Sequence, residues 1–213
     1  MPLCLQLYRN LISIYQNWPC TIEFIYKLAK YRTSMSIQLN NVVTKGDHVL
    51  GIDIAPLALL EYGDYQCPSS GDSYMVVKEV LRELGNDVVF IFRNFPLTDI
   101  HPDAFEAALA AEAAALQNKF WGMYDSLYQH QANLSSQDLF QYAEAIGLEM
   151  GRFEKDTQSQ SLISKIEADL EGGLRSGVTG TPTFYVNGTK YEGNWEGDLL
   201  IQHLKSRLYR LSH

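Results

Sequence analysis

Apolar residues along the chain fall into runs of two lengths and two periods. Pro56-Leu57-Ala58-Leu59-Leu60-Glu61-Tyr62 is short and nearly continuous, and Gly63-Asp64 closes it, as expected of a strand. Further on, Tyr74, Val76, Val77, Val80, Leu81 and Leu84 recur at spacings of three and four, which predicts a helix stopped by Gly85-Asn86-Asp87. Val88-Val89-Phe90-Ile91-Phe92 is again continuous and built from β-branched and aromatic residues, the pattern of a strand buried on both faces. Strand, helix and strand in this order form a βαβ unit, so the two strands are expected to run parallel.

A helical block follows. Ala104 to Leu116 is dominated by alanine, the best helix former. Phe120, Trp121, Met123, Tyr124 and Leu127 mark an aromatic helix face, read as core packing. Ser135-Ser136-Gln137-Asp138 is a helix start before Leu139, Phe140, Ala143 and Ile146. Leu162, Ile163 and Ile166 begin another helix, expected to loosen at Gly172-Gly173. Thr183-Phe184-Tyr185-Val186 and Thr189-Lys190-Tyr191-Glu192 flank Asn187-Gly188, a strong hairpin signal. Leu199, Leu200, Ile201 and Leu204 predict a terminal helix. The expected order is β-α-β, a helical block, then β-β-α. The first 34 residues differ: Leu11, Ile12, Ile14 and Tyr15, then Ile22, Phe24 and Ile25, predict one or two short amphipathic helices separated by Pro19. The shift in composition at Met35 is read as the true start of the protein, with a misassigned extension before it, and Ser36–Asp47 as a polar lead-in.

Composition narrows the function classes. The chain has 213 residues, 46% of them hydrophobic, ample for a core. Residues 1–46 hold five Lys and Arg and one acidic residue, whereas residues 47–213 hold 12 Lys and Arg against 24 Asp and Glu, a net of −12. So acidic a body is a poor match for nucleic acid or an anionic membrane. With no run of about 18 apolar residues and no recognisable export signal, no membrane span is expected and a cytoplasmic location is the default. The histidines are scattered and the three cysteines, Cys4, Cys20 and Cys67, are too few for a disulfide framework, so no metal site and at least one free thiol are expected.

The candidate chemistry centres on Cys67. It follows a strand and a turn, and Pro68 after it suits the first position of a helix. A cysteine at a helix N-terminus meets unpaired N–H groups and the positive end of the helix dipole, which favour a thiolate. Ser69 and Ser70 are potential hydroxyl donors to the sulfur. A second motif, Gly180-Thr181-Pro182-Thr183-Phe184, places a proline directly before a strand, where a cis bond can occur. Asp64 reads as a turn former and His101 as a helix-start residue facing solvent. Cys4 and Cys20 read as ordinary cysteines rather than resolving thiols.

Taken in order, Tyr62-Gly63-Asp64-Tyr65-Gln66-Cys67-Pro68, Phe92-Arg93-Asn94-Phe95-Pro96-Leu97, Ile100-His101-Pro102, Lys119-Phe120-Trp121 and Gly177 to Phe184 resemble the DsbA-like branch of the thioredoxin superfamily. The resemblance implies an α/β thioredoxin fold, with core segments 47–100 and 173–213 and an inserted helical domain at 101–172, preceded by an extension at 1–46. It implies dithiol–disulfide exchange with Cys67 and position 70 as the reacting pair, and Pro68, Ser69, Thr181 and Pro182 lining the site that takes a protein thiol, a disulfide or glutathione. No bound cofactor is expected; glutathione would be a co-substrate. The departure is Ser70, where the family usually has a second cysteine. Cys67 is then left to work as a single thiol through mixed disulfides that an external thiol must release. Two alternatives share the fold: a glutathione-dependent transferase or isomerase, and a peptide-binding module without redox activity.

Overall fold

The computed structural model of the protein describes residues 43–44 and 46–212. The readings of the amphipathic N-terminal helices, the Met35 start, Cys4 and Cys20 lie outside the described residues. The elements are β1 (His48–Leu50), β2 (Leu57–Gly63), α1 (Pro68–Leu84), a 3-10 turn (Gly85–Asp87), β3 (Val88–Asn94), α2 (Ala104–Ala115), α3 (Phe120–Gln129), α4 (Ser136–Ala145), α5 (Met150–Asp156), α6 (Gln160–Arg175), β4 (Thr183–Val186), β5 (Thr189–Lys190) and α7 (Leu199–Ser212). Among the described residues no helix is long and apolar enough to cross a membrane.

The strands form one sheet in the order β1-β3-β2-β4-β5. β2 and β3 run parallel, with Leu57 opposite Val88 and Gly63 opposite Asn94, as the βαβ reading requires. The other pairings are antiparallel. Every residue of β2 and β3 is buried, which is why both read as continuous apolar runs. The two-residue period of a strand sorts their side chains. Leu57, Leu59, Phe90, Phe92 and Phe184 face the larger core, with Val77 of α1, the alanines of α2, Tyr124 of α3 and Leu204 of α7. Ala58, Leu60, Tyr62, Val89, Ile91 and Tyr185 face a smaller one with Phe95, Leu170 and Val178. Helices α2 to α6 are inserted between β3 and β4, and this makes the fold a thioredoxin sheet with a helical insertion.

Two elements escape the sequence pattern. β1 is a three-residue edge strand, too short to show a period. α5 is seven residues long and starts on Glu149, whose carboxylate accepts from Gly151 N and Arg152 N. One expectation fails in the other direction. α6 does not loosen at Gly172-Gly173 but runs on to Arg175. A Cβ at 173 would sit 2.7 Å from the Phe95 ring and 3.1 Å from that of Tyr62, so glycine here lets the helix seat on the smaller core. In the hairpin, Asn187 and Gly188 have φ of 47° and 79°, the left-handed pair that a tight two-residue turn needs.

A buried charge cluster fastens the insertion to the sheet. Glu112 on the alanine-rich α2 accepts from His48 Nε2 at 2.8 Å, Asn94 Nδ2 at 2.7 Å and Lys165 Nζ at 3.1 Å. Lys165 also pairs with Asp169 at 2.8 Å, and Arg93 with Asp47 at 2.7 Å. Burial alone would raise the Glu112 pKa, but the His48 hydrogen bond and the charges of His48 and Lys165 outweigh it and hold the carboxyl below its usual value. Removing that carboxylate leaves two donors and a lysine short of a partner in a buried place. Glu112→Ala is therefore expected to cost about 3 kcal/mol in urea unfolding. A loss under about 1 kcal/mol would show that the cluster does not hold the insertion.

Candidate active site

β2 ends at Gly63 and the chain turns through Asp64-Tyr65-Gln66 into α1. Asp64 is the pivot of this turn. Its Oδ1 accepts from Gln66 N at 2.7 Å and Cys67 N at 3.2 Å. Its Oδ2 accepts from Leu97 N at 2.8 Å and is paired with His101 Nδ1 at 2.8 Å. Asp64 is a turn former as read, but His101 does not stand free in solvent; it locks the turn from the loop after β3. Gln66 adds a reciprocal pair with Asp103, its Nε2 donating at 2.9 Å and its Oε1 accepting from Asp103 N at 2.7 Å.

The turn delivers Cys67 to the N-cap of α1, with Pro68 in the first turn. Cys67 is only 7% exposed, while Pro68 and Ser69 are exposed beside it. The Cys67 thiol donates to Thr181 O at 3.2 Å, and the Thr181–Pro182 peptide bond is cis. Residues 114 positions apart in sequence are thus brought into contact, and Cys67, Thr181 and Pro182 share one site. The expected serine donors do not converge on the sulfur. Ser69 is exposed, and Ser70 is fully buried with its Oγ accepting from Asp64 N at 3.4 Å. The Thr181 hydroxyl is buried without a hydrogen-bond partner among the described residues.

Glu61 escaped the sequence reading. It lies on β2 six residues before Cys67, on the face of the larger core, beneath the first turns of α1. It is fully buried and accepts from Ser73 Oγ at 2.9 Å. Burial pushes its pKa up from 4.5 to about 8, with the Ser73 hydrogen bond only partly opposing this. Its Oε2 and the hydroxyls of Tyr65, Tyr124 and Tyr128 have no partner among the described residues. Burial, with the Glu61 charge as a lesser contributor, also pushes those three tyrosines well above their usual range. The signal was present in the sequence: a carboxylate inside an apolar run cannot be solvated, and buried acids of raised pKa gather at functional sites.

A five-stranded sheet with helices α2 to α6 inserted between β3 and β4 places the molecule in the thioredoxin-fold class. A family model described as Thioredoxin matches residues 43–205, and the chain belongs to that family. A thioredoxin-like oxidoreductase from Silicibacter pomeroyi is similar with a TM-score of 0.70 over 78% of this chain and 94% of its own, at 22% identity. Oxidised BdbD from Bacillus subtilis is similar with a TM-score of 0.69 over the same shares, at 24% identity. The Na(+)/H(+) antiporter NhaA 1 from Mycolicibacterium vanbaalenii is 40% identical over 162 residues, which is 75% of this chain and 26% of that protein. The chain therefore spans about a quarter of the length of the curated relatives it matches.

The raised Glu61 pKa has a consequence for stability. The folded state keeps the proton up to about pH 8, whereas an unfolded chain releases it near 4.5. Stability is thus fully present below about 4.5 and falls as the pH rises to about 8. Glu61→Gln removes this dependence, so its stability relative to wild type should increase across that window, by an amount on the order of a few kcal/mol. Urea unfolding at pH 5 and pH 8.5 measures the difference; an equal difference at both would mean that Glu61 titrates normally.

Proposed function

We propose that the protein carries out thiol–disulfide exchange through Cys67 acting as a lone thiol. The observation that supports this most is the contact of the Cys67 thiol, at the N-terminus of α1, with the Thr181 carbonyl of the cis-proline loop. In the reaction the Cys67 thiolate attacks one sulfur of a disulfide. A bond forms between Cys67 and that sulfur, the original S–S bond breaks, and the second sulfur leaves as a thiolate. No sulfur stands at position 70, so a second external thiolate must attack the mixed disulfide, release the bound partner and restore Cys67. Glutathione or a protein thiol fills that role.

The surroundings suit such a cycle. Once Cys67 is deprotonated or bonded to another sulfur, its thiol no longer donates to Thr181 O. That carbonyl is then free to accept from the backbone of an extended peptide or of glutathione. Below about pH 8, Glu61 is neutral and adds no negative charge to the core beside α1. Ser70 favours a second reading, a peptide-binding module without redox turnover, because its buried hydroxyl serves the turn through Asp64 N.

Incubation with glutathione disulfide should place one glutathione on the Cys67 peptide, resolved by mass spectrometry. In Cys67→Ser that adduct should vanish, and glutathione-dependent release of mixed disulfides should fall at least about a hundredfold. Exchange that persists in Cys67→Ser would refute the proposal. Peptide capture that survives the substitution, without any adduct in the wild type, would favour the binding module.

A further inference from the structure

We propose that Gln131, from the helical insertion, is the positioning residue for Cys67; this rests on Cys67 being the exchange nucleophile. Gln131 lies two residues beyond the end of α3. Its Nε2 donates to Tyr65 O at 2.8 Å and to Cys67 O at 2.7 Å, which uses both amide hydrogens. Its Oε1 lies over Gly71, where a Cβ would overlap it.

These bonds act on the one part of the turn that the other clamps leave alone. Asp64 holds the N–H groups of Gln66 and Cys67, and Asp103 holds the Gln66 side chain. Cys67 caps α1 with φ −70° and ψ 120° and makes no side-chain cap bond. Its carbonyl thus fixes the backbone from which the side chain projects, while Sγ itself is hydrogen-bonded to Thr181 O. Gly71 N donates to that carbonyl at 3.1 Å from within the helix, and Gln131 fixes it from outside. The glycine at 71 leaves room for the glutamine, so the two positions form one device.

The test uses the full chain and follows iodoacetamide alkylation at the Cys67 peptide by mass spectrometry. Gln131→Ala, and Gln131→Met, which keeps the length without an amide donor or a charge, should each slow alkylation at pH 7 about three- to tenfold. Each should also shift the pH of half-maximal rate upward, because the sulfur is held less well over the helix N-terminus. Asp64, His101 and Asp103, the titratable groups tied to this turn, are unchanged in every variant. Gly71→Ala should slow alkylation in the same way by displacing Gln131, although alanine favours the helix. In the double variant with Gln131→Ala it should add nothing beyond about twofold. Rates within twofold of wild type with an unmoved pH profile, or losses that multiply in the double variant, would overturn the proposal. A wild type whose alkylation depends on Gln131 but that forms no mixed disulfide would uphold the positioning role and remove only the exchange chemistry.

Discussion

A single buried carboxylate holds the site together. Asp64 is almost fully enclosed and accepts from Gln66 N, Cys67 N, Leu97 N and His101 Nδ1. Charge-assisted bonds of this kind are stronger and shorter than neutral ones, and so many donors compensate the burial of the charge. The four donors come from the turn after β2 and from the loop after β3. The Cys67 turn is thus anchored to both central strands before α1 begins. The turn sets the thiol at the N-cap of α1, against the cis-proline loop that leads into β4.

The same frame explains how a serine is accommodated at position 70. Its hydroxyl accepts from Asp64 N and is buried, so it belongs to the turn and not to the sulfur chemistry. In the exchange proposed for Cys67, release of the bound partner would then fall to a thiol from outside. In the antiporters that this chain resembles, the matched region is about a quarter of the protein.

Much of the sheet could be read from the sequence because burial on both faces leaves a direct trace. β2 and β3 are continuous apolar runs, and Asn187-Gly188 marks the hairpin by the φ values it must adopt. β1 and α5 leave none, being short and set by their neighbours. Cys67, Thr181 and Pro182 could be paired only through the family resemblance, since nothing local links positions 67 and 181. His101 was misplaced because its partner Asp64 lies 37 residues away. Glu61 was legible as a carboxylate inside an apolar run, whereas Gln131 gives no signal at all, since its partners are backbone carbonyls met only in the fold.

The central claim is that the site remains built for exchange and lacks only a second sulfur. Ser70→Cys tests it directly, by peptide mapping after oxidation with glutathione disulfide. Residues three apart in a helical turn are neighbours, within reach of a disulfide. A bond between positions 67 and 70 and loss of the glutathione adduct on Cys67 are expected. A thiol that stays free at position 70, with glutathione still on Cys67, would contradict the claim.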